Sequence, residues 1–325
     1  MAERVVILGG GIGGVVAANS LRKRLSRRHE IVLVDRQPTF ALAASFLWVM
    51  TGSRRPEQVC RPLEALRRKG IGVVRGEVEH IDPWRREAVV NGQWLRGDHL
   101  VVALGAEFAP GAIPGLAEAG HTFCTLDGAT RLRDALARFA GGRIVILTAA
   151  PAYKCPAAPY EAAMLIDADF RRRGNREAVD LSLYSAEPGP MGAAGPEASA
   201  AVRGLVEQKG IHYHPEHQVS RVAGGQIEFT NGSRAAYDLL VYVPPIRPPR
   251  ALAESDLIDE SGWVRVDRET METRFPGVHA VGDVTLVPLS NGKLLPRAGG
   301  FAHAQAEVVA RNIARALGGE GRQAR

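Results

Sequence analysis

The sequence predicts an α/β fold made of two parallel-sheet units. Three observations carry the prediction. The chain begins RVVILGGGIGGVVAANSLRKRL (4–25), an apolar run, a glycine turn and a helical pattern. A second apolar run, RIVILTAA (143–150), leads through a turn into another helical pattern. Further short apolar runs ending in small or acidic residues recur as far as GVHAVGDV (277–284). Strands that alternate with helices in this way build parallel sheets covered on both faces. A chain of 325 residues suffices for two domains of ordinary size, and 46% hydrophobic content supplies their cores.

In the first unit, RVVIL (4–8) reads as a buried strand and Gly9, Gly11 and Gly14 fit the spacing G-x-G-x-x-G. Gly9 allows a sharp turn, Gly11 allows the backbone to approach a pyrophosphate, and Gly14 allows the helix to pack on the strand. The helix N-terminus then offers unpaired N–H groups and the positive end of its dipole to phosphate. The next strand, EIVLVD (30–35), ends in Asp35, 21 residues past Gly14, where a ribose-binding carboxylate belongs; Arg36 follows it. GEVEHID (76–82) is a short strand containing Val78. DHLVVALGAEF (98–108) is a strand followed by a small-residue turn at Ala103 and Gly105. GVHAVGDV is a strand ending in Gly282 and Asp283.

Together these segments resemble the FAD-binding half of the two-dinucleotide-binding flavoproteins. The resemblance implies FAD rather than NAD. It also implies two Rossmann-like dinucleotide-binding domains, the FAD domain being split by an inserted second one. The FAD domain is expected over 1–111 and 250–325 and the insert over 112–249. RIVILTA, DLSLYSA (180–186) and YDLLVYVPP (237–245) supply strands of the insert, and EPGPMGAAGPEASAA (187–201) is a turn-rich entry to a helix. Asp283 would hydrogen-bond a ribityl hydroxyl. The helix starting near Gly299 and Gly300 would aim its N-terminus at the pyrimidine end of the flavin, where its dipole favours the charge of reduced flavin. Arg297 either adds a cation there or is solvated. His303 is a proton shuttle or, the reading favoured, a hydrogen-bonded structural histidine.

In the insert, the turn after the first strand reads TAAPAYKCPAAPYE (148–161) and contains no glycine. Its prolines have no N–H to give a phosphate, and its Cβ atoms block close approach of the backbone. A nicotinamide dinucleotide is not expected to dock there in the usual way. Cys155 stands in its place, next to Lys154 and shortly before a helix expected near Pro159. Cations and helix N-termini favour the thiolate, which is the nucleophile. The competing reading of any free cysteine is a small buried hydrophobe. For Cys155 the replacement of a phosphate loop favours chemistry; for Cys60 nothing does.

The stretch Cys155, Pro156, Pro159, Tyr160, Glu161 resembles the Cys-Pro-x-x-Pro-Tyr-Glu signature of the sulfide:quinone oxidoreductases and flavocytochrome c sulfide dehydrogenases. HTFCTLDGA (121–129) resembles another stretch of that family, making Cys124 the counterpart of its additional cysteine. For Cys124 the catalytic and the structural readings stay open. The resemblance runs from residue 1 to about 317, through GDV (282–284) and PRAGGFAHAQAEVVARNIA (296–314). It implies a flavin-proximal redox cysteine, a small sulfur substrate and a quinone or other acceptor. Two departures accompany it. The family's second redox cysteine belongs to a segment beyond the helix ending near Leu317, and this sequence stops at Arg325. FALAASFLWVMTG (40–52), expected near the flavin, has Leu47 before Trp48 where the family has Pro-Trp.

Composition narrows the function further. Net charge is +6, mostly from arginine, with no block of like charge long enough for a nucleic-acid arm. The clusters Arg22–Arg28 and Arg171–Arg176 read as solvated helix faces, leaving at most weak attraction to anions or a membrane surface. Three cysteines are too few for a disulfide framework, and none of their spacings suits a metal. The histidines of HYHPEH (212–217) read as surface residues. The start of the chain has no signal peptide pattern, so the cytoplasm is the expected location, with peripheral contact to the inner membrane left open, and GGEGRQAR (318–325) reads as a frayed tail. The expected activity is FAD-dependent oxidation of sulfide or a small sulfur species. The alternatives are a non-catalytic flavin-binding subunit or sensor and an NADH dehydrogenase-like flavoprotein. A homo-oligomer stays open.

Overall fold

The computed structural model describes residues 1–318, so residues 319–325 of the expected tail lie outside the described residues. The elements that matter run in chain order as β1 (Arg4–Leu8), α1 (Ile12–Arg24), β2 (Glu30–Asp35), α2 (Phe46–Met50), β3 (Gly72–Arg75), β4 (Val78–Asp82), β5 (Glu87–Val90), β6 (Gln93–Arg96) and β7 (His99–Val102). There follow α3 (Leu126–Arg138), β8 (Gly142–Thr148), α4 (Ala158–Arg172), β9 (Val179–Ser185), α5 (Pro196–Glu207), β10 (His212–His214), β11 (Val219–Ala223), β12 (Gln226–Phe229), β13 (Arg234–Ala236) and β14 (Leu239–Val243). The last are β15 (Val278–Ala280) and α6 (Gly299–Ala316). They form two compact units. The first holds Met1–Ala41, Cys60–Glu107 and the chain from Arg247 onward; the second holds Leu42–Val59 and Phe108–Ile246.

The first unit is organised by a parallel sheet of order β15-β7-β1-β2-β3. Its strands are near-continuous apolar runs because both faces are covered. Successive side chains alternate between two cores. Val5 and Ile7 join Ala17, Ala18 and Leu21 of α1 and Val309, Ala310 and Ile313 of α6. Val6 and Leu8 join Ile81, Ala88 and Val90 of the antiparallel β4-β5-β6 meander, together with Leu252 and Phe275. Small residues on α1 let α6 lie close to it.

The second unit repeats the theme with a parallel sheet of order β10-β9-β8-β14 and an antiparallel β11-β12-β13 ribbon. Leu42–Val59 belongs here, whereas the sequence-based division placed it with the first unit. The reason is packing: Phe46, Leu47, Val49 and Met50 of α2 are buried, and α2 lies against α3 and α4. Trp48 points the other way and stays 45% exposed. Among the described residues, no helix is long and apolar enough to cross a membrane.

Candidate active site: a glycine cradle and a thiol loop

At the carboxyl ends of the first unit's strands, backbone geometry dictates glycine. Gly9 turns the chain at φ +108°, and a Cβ there would lie 2.3 Å from the Ala103 carbonyl oxygen. A Cβ on Gly14 would lie 1.8 Å from the Gly9 carbonyl oxygen. These two positions exclude any side chain for internal reasons. Gly11 is different: nothing lies within 4 Å of where its Cβ would be. It caps α1, and the first intrahelical bond shown there is Val15 N–H to the Gly11 carbonyl. The preceding N–H groups of the first turn therefore remain for a ligand.

Asp35, at the end of β2, accepts the Gly10 N–H at 2.5 Å and the Gln37 N–H at 2.6 Å, one on each oxygen. Each oxygen keeps a further lone pair for a hydroxyl. Arg36 next to it is exposed and lies 3.5 Å from Glu77 and 3.9 Å from Glu107. Val78 pairs with Val90 and packs toward the meander core. Gly105 takes φ +71° over open space.

The turn after β15 is held from two directions. The Gly282 N–H, at φ +79°, is accepted by Gln305 Oε1 at 2.7 Å. Arg297 Nε donates to the Asp283 carbonyl at 2.9 Å, while its guanidinium sits 4.0 Å from the Trp263 ring centroid. Burial lowers the Arg297 pKa, with Asp283 acting the other way. Arg297 is thus a partly buried anchor of the Asp283 turn rather than a solvated cation. A Cβ on Gly299 would lie 2.4 Å from Ile12 Cδ1, so the first residues of α6 and α1 meet. Gly300 faces open space. His303, expected to be hydrogen-bonded, is exposed on α6. Gln305 was missed in the sequence, although it is the one polar residue in the buried stripe of Ala302, Ala306, Val309 and Ala310.

These residues fit a dinucleotide. Gly11, Gly105 and Gly300 leave room where any Cβ would stand, two helix N-termini converge, and a carboxylate waits at the end of β2.

In the second unit the turn between β8 and α4 carries the thiol. Cys155 is exposed and holds φ +56°, a left-handed conformation that costs a non-glycine residue roughly 1–2 kcal/mol. Its carbonyl accepts the Ala158 N–H at 2.9 Å as α4 begins, with Pro159 in the first turn. Tyr153, buried just before it, donates its hydroxyl to Glu187 Oε2 at 2.6 Å, and the same oxygen lies 3.4 Å from the Pro156 carbonyl. The Lys154 ammonium stands 4.3 Å from the Phe108 ring centroid. Tyr160 is almost fully enclosed, its ring edge-on to Tyr213 at 6.1 Å.

Cys124 precedes α3, whose N-cap Thr125 accepts the Gly128 N–H at 3.0 Å. Burial pushes the Cys124 thiol up to about 12, against the lowering influence of the Thr122 hydroxyl and Lys154; Cys155 adds to the rise. Lys154 and Cys155 are therefore its electrostatic neighbours, and it is a protonated thiol at neutral pH. Cys60 sits on a short strand opposite Ala41 in the first unit. The histidines of the HYHPEH stretch are not all surface residues: His214 stacks on Tyr184 at 4.2 Å, and His217 lies edge-on to Phe229 at 4.9 Å. Only His212 is exposed.

Over residues 3–308 the chain matches the family described as pyridine nucleotide-disulphide oxidoreductase. It is similar to the sulfide-quinone reductase of Aquifex aeolicus, at 27% identity over 96% of this chain and 76% of the relative. The X-ray structure of the sulfide:quinone oxidoreductase from that organism matches with a TM-score of 0.89 at 25% identity, covering 97% of this chain and 77% of the other. The mitochondrial sulfide:quinone oxidoreductase of Dictyostelium discoideum is 25% identical over 88% of this chain, which spans 66% of that relative's length. An NADH dehydrogenase-like protein of Mycobacterium tuberculosis is 27% identical over 90% of this chain and 75% of its own length. The chain belongs to the pyridine nucleotide-disulphide oxidoreductase family and is an FAD-dependent oxidoreductase.

Proposed function

We propose that the protein oxidises sulfide or a similarly small sulfur nucleophile at Cys155 and delivers the electrons to a quinone. The observation that carries this reading is the Cys155 turn. A thiol is exposed in a left-handed backbone conformation, beside Lys154 and three residues before a helix, at the position where a phosphate loop would follow β8. The relatives named for sulfide and quinone chemistry support the choice of substrate and acceptor.

FAD would be held by the Gly9–Gly14 turn, Asp35, Gly105, the Gly282–Asp283 turn and the start of α6; once bound, it supplies a two-electron acceptor. The remaining work belongs to the chain. The Cys155 thiolate and hydrosulfide form one S–S bond, giving a Cys155 persulfide anion with release of two electrons and one proton. Lys154 favours the anionic forms before and after that step. Cys124, protonated at neutral pH, is not the resting nucleophile; it is the second thiol of the region, able to attack a persulfide on Cys155 once deprotonated.

Anaerobic titration of the FAD-loaded protein with sulfide tests the proposal beside a Cys155→Ser variant. Bleaching of the flavin band in the parent and not in the variant is the expected result. An unbleached parent ends the sulfide reading. Rapid bleaching by NADH in the same cuvette would favour the NADH dehydrogenase-like alternative, against which the proline-rich turn speaks.

A further inference from the structure

The chain contains the pairs Asn91–Gly92, Asn231–Gly232 and Asn291–Gly292. Each stands at the exposed tip of a hairpin. In sequence they are equivalent. A glycine has no side chain to shield its nitrogen, so that nitrogen can attack the carbonyl carbon of the preceding asparagine side chain. The structure makes the pairs unequal.

At the tip between β5 and β6 the pair is locked. Asn91 takes φ +51° and Gly92 φ +73°. Asn91 Nδ2 donates to the Arg75 carbonyl at 3.0 Å, and the Gly92 N–H donates to Glu79 Oε1 at 3.0 Å. The side chain is turned toward Arg75. The nitrogen that would attack is committed to a carboxylate, whose charge opposes removal of its proton.

At the tip between β12 and β13 the asparagine folds the other way. Asn231 Oδ1 accepts the Ser233 N–H at 3.0 Å and the Ser233 hydroxyl at 2.6 Å. A side-chain oxygen bonded to the N–H two residues on forms a turn over the intervening peptide. That peptide's nitrogen belongs to Gly232, so the Asn231 Cγ is held close to it. Both donors sit on the oxygen that becomes negative when Cγ is attacked, as in an oxyanion hole. The Gly232 N–H donates to a neutral acceptor, the Phe229 carbonyl, at 3.0 Å. Asn231 Nδ2, the leaving group, holds no partner among the described residues. Asn291 has half of this arrangement. Its Oδ1 accepts the Lys293 N–H at 3.1 Å, and position 293 brings no hydroxyl.

We propose that Asn231 is a site of self-modification, with Ser233 as the catalytic donor. The Gly232 nitrogen bonds to Asn231 Cγ, the Cγ–Nδ2 bond breaks, and ammonia leaves with the proton that Gly232 gives up. The product is a succinimide. Water then opens the ring at either carbonyl, leaving aspartate or isoaspartate at position 231. No electrons are exchanged. Either product adds a negative charge. Isoaspartate also adds a CH2 to the main chain, inside a turn closed by the Phe229 N–H on the Ser233 carbonyl at 3.0 Å, next to a phenylalanine of the second unit's core.

The test incubates the full-length, FAD-loaded protein at mildly alkaline pH and maps its peptides by mass spectrometry over time, separating isoaspartate from aspartate by chromatography. A parallel incubation in urea gives the unfolded reference rate for each pair. In the folded protein, Asn231 should exceed Asn91 by about tenfold or more relative to those references, with Asn291 between them. Ser233→Ala removes an exposed hydroxyl and should slow Asn231 by about tenfold in the fold while leaving its rate in urea unchanged. Ser233→Thr keeps the hydroxyl and should stay near the parent. Asn91 reacting as fast as Asn231 in the fold overturns the proposal. So does a Ser233→Ala protein that reacts like the parent, or one that slows equally in urea.

Discussion

Gln305 accepts the N–H of Gly282 at 2.7 Å from a side chain that is only 7% exposed. The bond ties α6 to the turn that carries Asp283, and Arg297 ties the same turn from its other side. A glycine turn at φ +79° has no intrinsic reason to hold its shape. These two side chains supply one.

Replacing Gln305 with leucine leaves the half-buried Gly282 N–H without its partner at nearly constant volume. The expected cost is about 1–3 kcal/mol. Because the turn belongs to the cradle, FAD should be lost faster as well. Thermal unfolding of FAD-loaded protein and the rate of FAD release on dilution measure the two effects. A Gln305→Leu protein that melts and retains FAD like the parent would show that the turn is held without this bond.

The Cys124 thiol provides a pH signature. In the fold it is pushed up to about 12 from an ordinary 9.0. At pH 8 only about one Cys124 in ten thousand is ionised, so iodoacetamide should label Cys155 and spare Cys124. Between about pH 9 and pH 12 the unfolded chain has lost this proton while the folded chain keeps it. Fewer protons bound in the unfolded state means that stability falls as pH rises through this window. Cys124→Ser should flatten the fall. Peptide mapping after alkylation and unfolding midpoints at pH 8 and pH 10.5 are the readouts; labelling of Cys124 as fast as Cys155 contradicts the assignment.

His279 carries the opposite sign. Burial, and then the neighbouring His99, lower it to about 3. Its Nδ1 is enclosed and unpartnered, and the two rings are 6.4 Å apart. Above the unfolded value near 6.5 both states are neutral and the histidine contributes nothing to the pH dependence. From there down to about 3 the unfolded chain binds an extra proton, so stability is lost as pH falls. His279→Leu should lose stability less steeply between pH 6.5 and pH 4 in urea melts. His99, also lowered by burial, keeps part of the slope in place. Parallel slopes in parent and variant would remove His279 as a source of acid sensitivity.

Much of this architecture is legible in the sequence because it is local. The turn at Gly9, Gly11 and Gly14 lies between its own strand and helix, and the loop at Cys155 shows its prolines openly. The features that escape are non-local. Leu42–Val59 joins the second unit because four side chains of α2 pack on helices 80 to 120 residues away. Gln305 reaches Gly282 across 23 positions and Tyr153 reaches Glu187 across 34. Within the Arg22–Arg28 cluster, Arg27 and Arg28 are exposed as a wet face should be, but Arg22 folds back onto the carbonyls of His29, Leu25 and Ser26, which a charge pattern does not reveal. The histidines of HYHPEH looked superficial because alternation cannot show that Tyr184 and Phe229 come to meet them.

The Tyr153 hydroxyl makes the last prediction. It donates to Glu187 at 2.6 Å and lies 3.4 Å from the carbonyl of Pro156, so it clasps both ends of the segment containing Cys155. A hydrogen bond to a charged acceptor contributes about 1.5–3 kcal/mol, enough to offset the roughly 1–2 kcal/mol that the left-handed conformation costs. Tyr153→Phe keeps the buried ring and removes only the clasp. The loop can then relax, and Cys155 is no longer held where its chemistry needs it. Thiol alkylation should stay near the parent rate, because the sulfur is exposed either way. Sulfide-dependent flavin reduction should slow by about tenfold, since it depends on position rather than access. Glu187→Gln in the parent background keeps both the hydroxyl and an acceptor for it, and should slow flavin reduction much less than Tyr153→Phe does. If both reactions slow together in Tyr153→Phe, the tyrosine acts on the thiol itself and not on its placement; if neither slows, the left-handed turn is secured by the start of α4 alone.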